Sequence, residues 1–596
     1  MKKIVFVGSE CYPFVKTGGL GDVMSALPKA LLKEQCDVRV FLPNYRCIPE
    51  KYRKEMKYVN HFYMDIGRVP GKKYVGILTL ELDGVTYYFI DNEEYFSAGN
   101  PYESMSKDIE KYIFFDKAVL AALPVIGFEP DIIHCHDWQT GFIPVFLRTL
   151  FYDTELSRKA KTILTVHNLK FQGIANIDTV RYLTAFPEYV FEGEKAGYGN
   201  DVNMLKAGLV FADKITTVSQ TYCDEIKTEE YGETLHPVIN YHHMKLCGIL
   251  NGIDYEVYNP KTDQNLSVQY NVSTVVDAKR ENKLALQEEL GLEKDGGKFI
   301  IGLISRLTDQ KGLDLVNQIM EKMIDEHTQF VLIGTGDTKY ENIFRSYENR
   351  YKGRVSSNIM YSDARARRLY AAADVMLVPS RFEPCGLTQM MAYRYGAIPV
   401  VRATGGLKDS VAAYNEVDGT GTGFSFTDYS AKSLLDTVNY AKRIYFTRND
   451  LWRELVIKVM NLDYSWKKSA SQYKNLYVAM SGADEEPEKI VKTEVEEAEV
   501  KPEIEVKEEA EVKPEIEVKE EAKVKPEKKP ESEEKVTTKK TTRKRKAAVK
   551  KNASNTGKAF TSTATKTTGK TTGKTTRKRT TATNKKTMTV QDEKQI

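Results

Sequence analysis

A few short stretches of this 596-residue chain gather the residue types that handle anions. In "VKTGGLGDV", Lys16 precedes Gly18, Gly19 and Gly21, with Asp22 following. Glycines there let the backbone approach a ligand closely or take positive φ, and their amides can converge on an anion. Lys16 adds a formal charge, and the combination suits a diphosphate. The spacing is neither GxGxxG nor a Walker loop, and a tight strand-to-helix turn with an exposed lysine fits the loop equally well. "LISRLTDQKGLDLV" sets Arg306 and Lys311 after an apolar run, where both cations can meet phosphate oxygens that leave with developing charge. "VPSRFEPCGLTQM" carries Glu383 and Cys385 ahead of a helix whose first amides, near Gly386, Leu387 and Thr388, can bind anions.

"HCHDWQTG" and "LTVHNLKFQG" add His134, His136, Asp137, His167 and Asn168 at strand ends. An HxH pair without further ligands at suitable spacing is a poor zinc signature, and packing at the sheet end explains both histidines. Cys385 reads as a small packed residue rather than a reactive thiol. Trp138 serves equally as core or as an acceptor platform. A second "TGGL", at 404–407, echoes the first, and a turn or helix start accounts for it.

The elements that must position these residues are visible as apolar runs: "IVFVG", "VRVFLP", "YVGILTLEL", "TYYFID", "DIIHCHD", "KTILTVHN" and "KITTVS", then "GILNG", "FIIGLISR", "QFVLIGTG", "DVMLVPS" and "IPVVRAT". Val- and Ile-rich runs separated by helical patterns predict parallel strands of an α/β sheet, here in two series. The break falls near "LCGILNGIDYEVYNP", where Asn-Gly and Asn-Pro punctuate the chain. Two doubly wound domains facing each other place ligand chemistry at the carboxyl ends of their strands. The expected division is 1–247, 248–483, and a tail.

From Asp484 the chain is dominated by Lys, Glu, Thr and Pro, a composition that cannot bury enough apolar surface to offset ordering entropy, so the tail is expected to be disordered. "EVKPEIEVKEEA" repeats at 499–510 and 511–522 within an acidic block, 484–534, of net charge −11. Residues 535–596, rich in Lys and Thr, carry +17. That basic segment suits weak binding of nucleic acid or another polyanion, although pairing with the acidic block explains it equally well. The body before it nets only −2. Seven scattered cysteines, with no CxxC pair, predict a reduced, cytoplasmic protein without a disulfide framework. The N-terminal apolar run is too short for a signal peptide or membrane span.

The ordered set "KTGGLGDV", "HCHDWQTG", "TVHNLKFQG", "LNGID", "SRLTDQKGLDL", "SRFEPCGLTQM" and "RATGGLKDSV" resembles the bacterial glycogen synthases and plant starch synthases over roughly residues 1–480. The resemblance implies a GT-B glycosyltransferase, two Rossmann-like domains facing a deep cleft. Such enzymes move glucose from ADP-glucose to the non-reducing end of an α-1,4-glucan with retention, using no metal or other cofactor. It further implies that the last helix of the second domain crosses back to the first. On matching positions, Lys16, Gly18 and Gly19 meet the distal diphosphate and sugar, with Asp22 nearby, and Arg306 and Lys311 neutralise the departing diphosphate. Glu383 binds glucose hydroxyls, Cys385, Gly386 and Leu387 lie against the donor sugar, and Asp137 and His167 sit beside the reacting glucose. Tyr361 stacks on adenine, and Asn168, Asn251 and Thr388 belong to the substrate-binding set. Many retaining GT-B enzymes carry a second glutamate eight residues after the first. Met391 stands there, as in starch and glycogen synthases generally, which argues against a carboxylate nucleophile. The alternatives are a UDP-glucose-dependent enzyme, a pyridoxal-phosphate phosphorylase whose lysine segment is not found, and a glucan- or polyanion-binding scaffold.

Overall fold

Residues 1–97 and 99–482 are described by a computed structural model of the chain; the expectations for 484–534 and 535–596 lie outside them. The first apolar run forms β1 (Lys3–Val7), followed by β2 (Asp37–Pro43), β3 (Lys57–Met64), β4 (Lys73–Leu82) and β5 (Val85–Asp91). Then come β6 (Ile132–His136) and β7 (Lys161–Val166). A small antiparallel sheet of β8 (Ile174–Asn176), β9 (Gly197–Tyr198) and β10 (Asp201–Asn203) precedes β11 (Lys214–Thr217) and β12 (Leu246–Gly248). The large sheet runs β12-β11-β7-β6-β1-β2-β5-β4-β3. The chain leaves β1 toward β2 and later returns to β6 on its other side, so the crevice for a ligand opens at the carboxyl ends of β1 and β6.

The second sheet is built from β13 (Phe299–Ile304), β14 (Thr328–Ile333), β15 (Val355–Asn358), β16 (Val375–Val378), β17 (Ile398–Arg402) and β18 (Phe424–Phe426). Its order, β15-β14-β13-β16-β17-β18, is all parallel and has the dinucleotide-fold arrangement 3-2-1-4-5-6, with the switch between β13 and β16. Each sheet has its own hydrophobic core. Val218 from the first half enters the second core, whereas Trp466, Ala470, Tyr473 and Tyr477 of the final helix, Trp466–Ser481, belong to the first. The chain thus crosses back, and Tyr477 Oη lies 2.9 Å from His134 Nδ1.

Two strand readings need correction. "YVGILTLEL" was expected to run parallel, yet β4 is antiparallel to both neighbours. Asp83 and Gly84 both have positive φ (52° and 78°), the signature of a two-residue hairpin turn that matches strand twist. "GILNG" is a strand only up to Gly248, because Leu250 to Gly252 form the passage between the halves. β3, β15 and β18 escape hydrophobic patterning because "VSSN" and "FSF" are short or polar and β3 lies exposed at the sheet edge. No helix among the described residues is long and apolar enough to cross a membrane.

Candidate active site

The loops that follow β1, β6, β7, β13 and β16 converge on a cavity of about 550 Å³ between the two sheets. Every site residue that the resemblance names lines it except Lys16 and Tyr361, whereas Gly21, His134 and His136 do not. Lys16 and Tyr361 line an adjoining cavity of about 180 Å³, and Asp22 and Leu387 border both.

The glycine loop after β1 enters helix Gly19–Lys33 with Gly18 as its N-terminal flank at φ −158°. None of the three glycines has positive φ, so the conformational reason for them fails and close approach remains. A Cβ on Gly18 would meet nothing within 4 Å, and one on Gly19 only Leu387 at 3.7 Å, so the missing side chains leave open space facing the cavity. The amides are not idle either. Glu10, buried and unsuspected from the sequence, accepts from Thr17 N (2.5 Å), Thr17 Oγ1 (2.6 Å), Gly18 N (3.1 Å) and Tyr102 Oη (2.6 Å). An internal carboxylate therefore holds the turn that was read as an anion cradle. Lys16 is likewise engaged, 2.7 Å from Asp22. Burial opposes the charge on Lys16, but Asp22 outweighs it and raises the pKa; burial raises that of Asp22. Tyr361, 74 % exposed, lies on the rim above this pair, so its ring face is free for stacking.

On the first sheet's side, Asp137 follows β6 at φ 57°, ψ −170°, a region almost reserved for glycine. Its Oδ1 accepts from His167 N (2.6 Å) and Asn168 N (3.4 Å), which binds the ends of β6 and β7 together. Burial pushes the Asp137 carboxyl up to about 7 against the pull of those two amides. His167 Nε2 lies 2.9 Å from His136 Nδ1, and His136 stacks on His134 with ring centroids 4.3 Å apart. Burial drives His134 and His167 down to about 3 and lowers His136 well below its ordinary value, so all three imidazoles are neutral at neutral pH, and of the three His167 borders the cavity. Trp138 is 4 % exposed, packs edge-on against Tyr112 and still borders the cavity, so it is core and wall at once.

The opposite wall is charged. Lys311 Nζ sits 2.6 Å from Glu383 Oε2, and Ser380 Oγ donates to the same oxygen at 2.8 Å. The resemblance gives Lys311 to the departing diphosphate and Glu383 to glucose hydroxyls, and in the fold the two stand as an ion pair. Arg306 is exposed beside them on the cavity surface. The short helix Thr388–Arg394 starts after Gly386, whose φ of 70° turns the chain. Burial pushes the Cys385 thiol up to about 12 beside Asn251, which makes it a packed residue and not a thiolate. The second "TGGL" begins a helix, Gly405–Ser410, set against the Glu383 loop.

Glu10, Tyr102 and Ser380 were missed. Glu10 had a signal, a charged residue right after a buried strand; Tyr102 and Ser380 had none.

Comparison with known proteins agrees with this architecture. A family model described as the starch synthase catalytic domain matches residues 3–241, and one for glycosyl transferases group 1 matches residues 288–452. Glycogen synthase of Lachnospira eligens is 52 % identical over 477 residues, 80 % of this chain and 99 % of that protein. The glycogen synthase of Lachnoclostridium phytofermentans is 49 % identical over 480 residues, 80 % of this chain and 100 % of that one. Among solved structures, the catalytic domain of starch synthase IV from Arabidopsis thaliana bound to ADP and acarbose superposes with TM-score 0.75 at 33 % identity, covering 80 % of this chain and 99 % of that one. With near-complete coverage of these relatives, two facing α/β sheets and a cavity between them, the chain belongs to the glycogen and starch synthase family of glycosyltransferases.

Proposed function

We propose that this protein is a glycogen synthase that transfers glucose from ADP-glucose to the non-reducing end of an α-1,4-glucan with retention of configuration. The observation that carries the reading is the Lys311–Glu383 pair, which faces Asp137 and His167 across a cavity large enough for a nucleotide sugar. Lys311 and Arg306 stabilise the diphosphate as the bond from glucose C1 to its phosphate oxygen breaks, when that oxygen gains charge. Glu383, steadied by Ser380, then accepts hydrogen bonds from glucose hydroxyls. The acceptor hydroxyl forms the new bond to C1 on the same face, and its proton passes to the leaving phosphate oxygen, so no carboxylate nucleophile is needed. Met391, beside the cavity, is consistent with that route.

Gly18 and Gly19 admit the distal phosphate and sugar, and Lys16 and Asp22 border the passage from there to Tyr361, on which adenine stacks. Asp137 and His167 flank the glucose, Asn168, Asn251 and Thr388 contact substrate, and Cys385, Gly386 and Leu387 pack against the donor sugar. We place the halves at 1–247 and 248–483, with action in the cytoplasm and a basic tail segment, 535–596, that binds polyanions weakly and with strong salt dependence.

The test is glucose incorporation into glycogen by the purified protein supplied with ADP-glucose or UDP-glucose. Incorporation from ADP-glucose with release of ADP supports the reading. Equal catalytic efficiency with both donors overturns the donor assignment, and no incorporation from either overturns the activity.

A further inference from the structure

The loop that carries Glu383 belongs to the second half, but part of what holds it comes from the first. After β11, Val218 inserts into the second core and Ser219, fully buried, caps the short helix Gln220–Glu225. Ser219 Oγ accepts from Tyr222 N at 3.2 Å and donates to the carbonyl oxygen of Pro384 at 2.6 Å. At the other end of that helix, Glu225 Oε1 accepts from Thr404 Oγ1 (2.8 Å) and Gly405 N (3.0 Å). The turn gripped by Glu225 is pressed on the same loop. Gly406 N donates to Glu383 O (3.1 Å) and Pro384 O (3.2 Å), and a Cβ on Gly405, at φ 45°, would lie 2.0 Å from Glu383 O. Contact that tight leaves the Glu383 peptide no room to shift unless the turn at Gly405 moves as well. The Glu225 carboxylate stays in this place although its Oε2 is buried without a hydrogen-bond partner, which gives the bonds of Oε1 a cost to offset.

We propose that Ser219 and Glu225 are positioning residues for glucosyl transfer: from the first half of the molecule they fix the backbone of Glu383, and so the place where its carboxylate meets the donor sugar. The inference rests on the reading of Glu383 given above. Neither residue lines the substrate cavities, and the cations assigned to the diphosphate, Arg306 and Lys311, stand on a different loop after β13. Disturbing the clasp therefore displaces the sugar-binding carboxylate directly and reaches the nucleotide site only through the Lys311–Glu383 ion pair. Displacements of about 1 Å remote from the chemistry cost up to about 100-fold in rate.

The experiment compares full-length wild type with Ser219→Ala, Glu225→Ala, Glu225→Gln, Thr221→Ala and Glu383→Ala. It measures kcat and KM with ADP-glucose and glycogen, ADP affinity by calorimetry, and thermal midpoint. Ser219→Ala and Glu225→Ala are expected to lower kcat by about 10- to 100-fold with ADP affinity within about twofold of wild type. Glu225→Gln keeps the oxygen that accepts from Gly405 and Thr404, so it restores kcat to within about threefold. Thr221 lies on the same helix but bonds Asp409, beyond the Gly405 turn in the helix Gly405–Ser410, and the hydrogen bonds of the Asp409 carboxylate among the described residues go to Thr221 and not to the Glu383 loop; Thr221→Ala is expected to lower the thermal midpoint without lowering kcat. Unchanged kcat in Ser219→Ala and Glu225→Ala overturns the proposal, as does a parallel loss of ADP affinity. A Glu225→Gln variant as slow as the alanine variant, or a Thr221→Ala variant as slow as Ser219→Ala, does the same. If one alanine variant does not fold, the other decides by the same criteria. Wild-type turnover by Glu383→Ala removes the underlying reading of Glu383. An inactive Glu383→Ala beside unaffected Ser219 and Glu225 variants removes only the clasp.

Discussion

The two walls of the cavity solve opposite electrostatic problems. On the first sheet's side, Asp137, His136 and His167 are buried so deeply that desolvation moves each toward its neutral form. On the second sheet's side, Lys311 and Glu383 keep a close pair with Ser380 attached. The difference teaches a division of labour. The charged wall can meet a group whose charge grows as a bond breaks, through Lys311, and a hydrogen-bond donor, through Glu383, whereas the neutral wall offers hydrogen bonds without a counter-charge.

Breaking the charged wall should cost most. Glu383→Ala removes the sugar-facing carboxylate and strands Lys311 beside it, so kcat for glucose transfer is expected to fall by about 1,000-fold while the fold survives. Near-wild-type turnover, measured with labelled ADP-glucose, would take Glu383 out of the site. Lys311→Ala comes next, with a loss of about 100-fold in kcat and weaker ADP binding by calorimetry. If rate and ADP affinity both stay unchanged, the cation is a bystander.

The neutral wall is best tested by pH. The carboxyl of Asp137 sits at about 7 in the fold, above the value near 3.9 of an unfolded aspartate. The folded state therefore binds the proton more tightly, and the stability linked to it is fully present below about pH 4 and is lost as pH rises through about 7. In Asp137→Asn the thermal midpoint should decline less between pH 5 and 8 than in wild type. Wild-type kcat should show a limb near pH 7, several-fold in height, that the variant lacks; identical profiles would remove Asp137 as the group responsible. The smallest effect is expected outside both walls, since a protein ending at Gly482 keeps every residue of the site. Its kcat should match the full chain within about twofold, and a larger loss would give residues 483–596 a part in transfer.

Much of this contrast was legible in the amino-acid order. Buried strands leave an unbroken apolar signature, so β1, β6, β7, β13, β14, β16 and β17 announced themselves, and the residues just beyond them became the candidates. β3 and β15 did not, because an exposed edge strand and "VSSN" carry too little apolar surface to show a period. Asp83-Gly84 could have revealed the antiparallel hairpin, since that dipeptide supplies the positive φ the turn requires.

What the order of residues determined by itself was the set of chemical groups and their attachment to strand ends, because strand periodicity and turn chemistry are local properties. What only the tertiary structure decided was which groups meet. Lys311 and Glu383 lie 72 positions apart and pair at 2.6 Å; Glu10 accepts from the amides of Thr17 and Gly18; and Ser219 reaches Pro384 across 165 positions. The states of Asp137 and His167 belong to the same class, since they come from burial, and burial depends on how remote segments close over a site rather than on the residues beside it.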